Sequence, residues 1–146
     1  MNNLNKTVCL VTGASSGIGK HTAIKVSNIA DHVYILSRDV SKLEIVNDHI
    51  INNGSDCTIV PMDLTKKNNI KELAKNIYEK ENKIDIVISS AGRISQLSPI
   101  GSQNEDEVTK TFELNYLANL SLMKEFLPLL KPVSYTHLTL PTKAHV

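Results

Sequence analysis

The sequence predicts an α/β fold built on a parallel, doubly wound sheet. Three observations carry that expectation. Short apolar runs alternate with longer segments of helical periodicity along most of the chain. The fourth run, Ile84–Ser90, is almost wholly apolar, as expected of a strand covered on both faces. The first run leads into a helix through a glycine-rich turn, Thr12-Gly-Ala-Ser-Ser-Gly-Ile-Gly19. Alternating strands and helices with right-handed crossovers give the strand order 3-2-1-4, with a crevice between the carboxyl ends of the first and fourth strands.

Val8–Thr12 is the first strand. The turn after it lacks Cβ atoms at Gly13, Gly17 and Gly19, so a pyrophosphate can approach the backbone. The helix start adds unpaired N–H groups and the positive end of its dipole. Gly13, Ser15, Ser16, Gly17, Ile18 and Gly19 are therefore candidate contacts, the alternative being a turn that only packs a helix on a strand. The first helix is expected over Gly17–Ile29, with Ile18, Ala23, Ile24 and Val26 facing the core. His32–Ser37 is the second strand. Val40–Asn52 is the second helix, with Leu43, Val46 and Ile50 at helical spacing and Asn53-Gly54 as a left-handed cap. Cys57–Met62 is the third strand, and Pro61 is a residue that an edge tolerates. Thr65 is expected to cap a third helix, Lys66–Glu81, whose Ile70, Leu73, Ala74 and Ile77 form one stripe. After the fourth strand comes a polar loop from Gly92 to Ser102. One final helix runs from about Asn104 to Leu130, and Ser102 with Glu105 has capping-box spacing.

A length of 146 residues suits one domain with a real core, and 41% hydrophobic and 21% charged residues are ordinary for a globular protein. A net charge of +1 argues against a dedicated nucleic-acid surface. No apolar run has the length of a membrane helix, and Met1–Lys6 lacks a signal-peptide core, so a cytoplasmic protein without a membrane partner is expected. Cys9 and Cys57 lie in strand-like runs and read as buried, reduced thiols. His21, His32 and His49 share no metal-ligand spacing, so no metal site is expected.

The second strand ends in Ser37-Arg38, where dinucleotide folds meet the adenosine ribose. An arginine there can pair with a 2′-phosphate, which favours NADP over NAD; Asp39 could instead pair with Arg38 and weaken that preference.

The glycine spacing T-G-x-x-x-G-x-G resembles that of the short-chain dehydrogenase/reductase family. Three further marks follow in the family's order across residues 7–130. Asp63-Leu64 closes the third strand and resembles the pair that contacts the adenine. Ser89-Ser-Ala-Gly92 resembles the family's Asn-Asn-Ala-Gly, with serines in place of both asparagines. Its Ser90, Ala91 and Gly92 are candidate cofactor contacts. Asn115, set before Leu127-Pro128, resembles the asparagine that helps hold a water in the catalytic proton relay, with Asn119 as the competing candidate. Gln96–Gly101 resembles bacterial members near the YciK-like oxidoreductases. The resemblance implies a Rossmann-like NAD(P)-binding domain over residues 1–132, truncated after the fourth strand and its following helix. It also implies an oxidoreductase that interconverts a small-molecule carbonyl and alcohol, homodimeric or homotetrameric in its full-length parent. A dinucleotide-binding module without chemistry is the alternative.

The family's Tyr-x-x-x-Lys pair is missing from this sequence. Tyr34, Tyr78, Tyr116 and Tyr135 are followed at that spacing by Arg38, Asn82, Leu120 and Thr139. From Val133 the chain reads Val-Ser-Tyr-Thr-His-Leu-Thr-Leu-Pro-Thr, which GTC TCT TAT ACA CAT CTG ACG CTG CCG ACG encodes. That DNA looks like a transposon-end sequencing adapter, so residues 133–146 are expected to be a non-native tail.

Overall fold

The computed structural model describes residues 6–130; the expected non-native tail lies outside the described residues. Four parallel strands form one sheet in the order β3-β2-β1-β4: β1 Val8–Thr12, β2 His32–Ser37, β3 Asp56–Pro61 and β4 Ile86–Ser89. This is the doubly wound, Rossmann-like α/β arrangement. Each strand after the first is reached through a helix: α1 Gly17–Val26, α2 Val40–Asn52 and α3 Lys67–Glu81.

Strand alternation divides the core into two layers. Cys9, Val11, Val33 and Ile35 pack with Ala23 and Val26 of α1 and Leu43, Val46 and Ile50 of α2. Val8, Leu10, Tyr34 and Leu36 point the other way, onto Ile70, Leu73, Ala74 and Ile77 of α3 and onto Leu122 and Phe126. The wrapping direction therefore reverses at the β1–β4 pair, where Cys9 opposes Ile86 and Thr12 opposes Ser89. That reversal leaves a crevice beyond the strands' carboxyl ends.

Boundary expectations needed correction where side-chain hydrogen bonds choose the ends. Helix α1 stops at Val26, because Ser27 bonds back to the Ile24 carbonyl and a turn through Ala30 returns the chain to β2. Ile18 is not a core residue; it is 78% exposed. Thr65 is not a cap, because its hydroxyl is spent on Asp63, and α3 starts after Lys66 with no side-chain cap. Strand β4 is shorter than expected; Ile84 lies before it and pairs with Leu130 in an isolated parallel bridge, while strand β4 itself begins at Ile86. Its residues are half-buried, since β4 has no second neighbour among the described residues. Gly54, at φ +89°, does supply the left-handed turn after α2.

The single long final helix is also interrupted. Helix α4 spans Glu105–Phe112, a π segment spans Glu113–Ala118, and helix α5 spans Asn119–Phe126 before a 3-10 turn. Ser102 does not cap α4. Asn104 does, its Oδ1 accepting the N–H groups of Asp106 and Glu107 at 2.9 and 3.2 Å. Glu105, Asp106 and Glu107 in that first turn complement the helix dipole.

At the amino end of the sheet a buried polar network ties β2 to α3. The Glu81 carboxylate accepts from the Tyr34 hydroxyl at 2.9 Å and lies 2.9 Å from His32 Nδ1. His32 Nε2 lies 2.8 Å from the Thr58 hydroxyl, and the His32 and Tyr34 rings stack with centroids 4.4 Å apart. A neutral imidazole satisfies both contacts, donating from Nδ1 and accepting at Nε2. Burial pushes His32 below its usual pKa, and Lys6 and Lys80 add to that effect against the opposing charges of Glu81 and Asp56.

Two outcomes are expected in urea unfolding. Tyr34→Phe costs about 1 kcal/mol, and Glu81→Ala costs more because it strips the acceptor from two buried groups. The depressed His32 pKa makes the unfolded chain bind a proton before the folded one. Stability therefore falls as pH drops below about 6.5 toward the folded-state value, and His32→Gln flattens that limb.

Candidate functional site

The crevice is built around the approach of the glycine-rich turn to the end of β4. Thr12 is buried, and its Oγ1 accepts the N–H groups of Ser90 and Ala91 at 3.1 and 3.2 Å. That brings Gly13 so near that a Cβ on it, at φ +65°, would lie 2.7 Å from the Ala91 nitrogen. A Cβ on Gly19 would overlap the Gly13 carbonyl. Gly17 differs: its φ is +53°, it lines the cavity, and apart from its own chain neighbours and helix backbone nothing lies within 4 Å of where a Cβ would be. Ser16, the residue before α1, makes no side-chain cap, so the first-turn N–H groups of that helix are left without a side-chain acceptor.

A cavity of ≈ 1080 Å³ opens here. Every cofactor-site candidate from the sequence borders it: Gly13 and Ser15–Gly19 from the turn and the start of α1, Ser37 at the end of β2 and Arg38 just beyond it, Asp63 and Leu64 from beyond β3, and Ser90, Ala91 and Gly92 from beyond β4. Sequence reasoning missed other lining residues, among them Met62, Lys42, Arg93, Lys110 and Leu114. Lys42 could have been found, lying one helical turn after Arg38. Lys110 and Leu114 come from a helix whose placement no local pattern reveals.

Polar groups at the cavity are divided between those engaged and those left open. Asp39 does not pair with Arg38. Its Oδ1 caps α2 through the Lys42 N–H at 3.2 Å, and its Oδ2 sits 2.9 Å from Lys42 Nζ, which holds its carboxyl below the usual carboxylate range. Asp63 Oδ1 accepts from the Thr65 N–H and hydroxyl, both at 2.9 Å. The Thr65 N–H is the largest cause of its lowered pKa; the Thr65 hydroxyl and the charges of Arg38 and Lys66 also contribute. Asp63 Oδ2 carries no hydrogen bond among the described residues.

Asn115 does not border the cavity; it stands behind the wall, in the π segment. Asn115 is exposed, yet its side-chain amide is held from both sides by Arg93. Oδ1 accepts the Arg93 N–H at 2.9 Å, and Nδ2 donates to the Arg93 carbonyl at 2.7 Å. Arg93 in turn forms an ion pair with Glu107, which also pairs with Lys110 at 3.0 Å.

Cys9 and Cys57 are far from thiolate chemistry, as burial pushes both thiols up to about 12. Among the described residues, no group of three His, Cys, Asp or Glu side chains could hold a metal ion, and no helix is long and apolar enough to cross a membrane.

A sequence profile described as short chain dehydrogenase matches residues 7–136. The dehydrogenase/reductase SDR family member 7 of Mus musculus is 34% identical over 129 residues, which is 86% of this chain and 38% of that protein. A metagenomic short-chain oxidoreductase solved in complex with NADP superposes with a TM-score of 0.81 at 27% identity, covering 88% of this chain and 58% of the other. The oxidoreductase yciK from E. coli gives 0.76 at 30% identity, covering 88% and 55%. An NAD+-bound xylitol dehydrogenase shares the fold at a TM-score of 0.80 and 21% identity, covering 88% and 49%. The chain thus spans well under two thirds of each of these proteins.

The glycine geometry predicts unequal costs for one substitution type. Gly13→Ala and Gly19→Ala must move backbone and are expected to lower unfolding stability by more than Gly17→Ala, which carries only the left-handed strain of about 1–2 kcal/mol. Chemical unfolding of the three variants in parallel checks the ranking.

Proposed function

The chain belongs to the short-chain dehydrogenase/reductase family, and from that premise we propose that it is the cofactor-binding part of an NADP-dependent enzyme that interconverts a carbonyl and an alcohol. One observation supports the cofactor reading most directly: a glycine-lined cavity joins an uncapped helix start to Arg38, whose neighbouring acid, Asp39, is occupied by Lys42. The open space at Gly17 and the open N–H groups of α1 suit a pyrophosphate. Arg38 would take the 2′-phosphate, Ser37 the ribose edge, and Asp63 Oδ2 an exocyclic adenine amine, with Leu64, Ala91 and Gly92 as apolar walls. Ser90 would contribute through its backbone at the strand end. When bound, NADP supplies a nicotinamide that exchanges a hydride with the substrate carbon. Asn115, whose side-chain amide is engaged by Arg93, would stand behind the Ala91–Gly92 wall in the position of the proton-relay asparagine.

A binding module without chemistry is the second reading. The genomic sequence downstream of Pro132 separates the two: a continuing frame with Tyr-x-x-x-Lys supports the enzyme, a nearby stop codon the module. We further propose a homodimer or homotetramer for the full-length protein, residues 1–132 as its native part here, and a cytoplasmic location.

Titration calorimetry of this chain with NADP and NAD tests the cofactor reading. Tighter binding of NADP is expected, with the preference reduced by roughly 1.5–3 kcal/mol in Arg38→Ala; equal or tighter NAD binding would overturn it. No turnover of carbonyl or alcohol substrates is expected from the 146-residue chain itself, since general acid–base help is worth about two to four orders of magnitude and its tyrosine–lysine pair is absent. Turnover that disappears in Asn115→Ala would refute that expectation.

A further inference from the structure

Asn119 is the one polar side chain of α5 that joins the helix to both the sheet and the π segment. Its Nδ2 donates to the Asn115 carbonyl at 2.7 Å and reaches the Leu114 carbonyl at 3.4 Å. Two carbonyl partners fix the orientation of the amide, so Oδ1 must face the other way, and there it accepts from the Ser89 hydroxyl. Ser89 Oγ also lies 3.4 Å from Thr12 Oγ1, the atom that receives the Ser90 and Ala91 N–H groups. On the far side Asn115 clamps both backbone groups of Arg93, and a Cβ on Gly92 would touch Asn115 Oδ1 at 3.4 Å. These contacts link Thr12, Ser89, Asn119, Asn115 and Arg93 in a chain along the wall formed by Ser90, Ala91 and Gly92.

The π segment gives Asn119 its carbonyl partners. A π segment shifts its carbonyls out of α-helical pairing, and the Asn119 amide, donating to the Leu114 and Asn115 carbonyls, ties that segment to the start of α5. Asparagine is a poor helix former, so its place at the first residue of α5 has a cost that its three contacts offset. Ser89 is one of the two positions where this chain departs from the family's Asn-Asn-Ala-Gly, and its hydroxyl donates to Asn119 Oδ1.

We propose that Asn119, acting with Ser89, is a positioning residue that sets Asn115 and the Ala91–Gly92 wall for the bound dinucleotide. The inference rests on the cofactor reading above for its binding consequence, while its effect on Asn115 stands without it.

The test uses the whole chain and two readouts. The first is NADP affinity for wild type, Ser89→Ala, Asn119→Ala and the double variant. Each single substitution is expected to weaken binding roughly five- to tenfold, the value of about one net hydrogen bond, and the double variant to be no weaker than Asn119→Ala. The second is the side-chain amide resonance of Asn115, expected to shift and broaden in Asn119→Ala while resonances of α2 stay in place. Ser89→Ala removes only a hydroxyl, so it reads the same linkage if Asn119→Ala fails to fold. Wild-type affinity in both single variants with an unmoved Asn115 signal would overturn the proposal, as would losses that simply multiply in the double variant. A wild-type chain that binds no dinucleotide, but whose Asn115 signal still moves in Asn119→Ala, removes the cofactor reading and supports the positioning role.

Discussion

The site depends on how closely the glycine-rich turn can approach the end of β4. Thr12 Oγ1 holds two successive N–H groups of that strand end, and Gly13 fits against Ala91 only because it has no side chain. Everything near the crevice inherits its position from this contact. Helix α1 starts where the turn releases it, with no side-chain cap and with its first residues bordering the cavity. The wall at Ser90–Gly92 stands where Thr12 holds it, and Arg93 beyond it is gripped by Asn115. A parallel sheet offers no such contact by itself, because its ladder ends at Thr12 and Ser89. Side-chain bonds must carry the register past the last strand residues.

Strand order, the first three helices and the two core layers were legible in the sequence because apolar periodicity reports directly on burial. Leu43, Val46 and Ile50, or Ile70, Leu73, Ala74 and Ile77, recur at helical spacing and all turn inward. The turn residues were legible because Gly13 and Gly19 have a steric reason to be glycine. What could not be read were choices between nearly equal hydrogen-bonding options. Ser102 and Asn104 are both good caps for α4, and only the loop geometry selects Asn104. Thr65 suits a cap, but the Asp63 carboxylate two residues earlier competes for it and wins. The π segment was invisible because Glu113–Ala118 has ordinary helical composition; Asn119 donates to two of its carbonyls, those of Leu114 and Asn115. Ile18 misled because an apolar residue in a first turn reads as core, while here it faces an open cavity.

Charge placement at the cavity follows the same competition. Asp39 had two cations within reach in sequence, Arg38 beside it and Lys42 one turn on. Capping α2 fixes the Asp39 carboxylate over the first turn of that helix, where Lys42 Nζ can also meet it. Arg38 is then left at the cavity edge, facing Asp63 across it closely enough to help lower the Asp63 pKa. The preference for NADP proposed here is therefore a consequence of a helix cap: what frees the arginine is the demand of a neighbouring backbone for an acceptor.

The two ends of the sheet handle polar groups in opposite ways, and that contrast separates stability from function. At the amino end, Tyr34, His32 and Thr58 close their hydrogen bonds on one another and on Glu81, while the Asp85 carboxylate receives the Val8 N–H and the Lys83 ammonium. No buried side-chain nitrogen or oxygen among the described residues lacks a partner. At the carboxyl end, one oxygen of Asp63 and the first turn of α1 are without side-chain partners, and Arg38 stands exposed at the rim. Polar groups left open cost little while water reaches them, and water does reach a cavity of ≈ 1080 Å³. A ligand that displaced that water would have to satisfy an anion site, a donor site and a cation site at once. Specificity of that kind arises from hydrogen-bonding capacity that the protein leaves unspent at one end of its sheet, held in place by the groups it satisfies fully at the other.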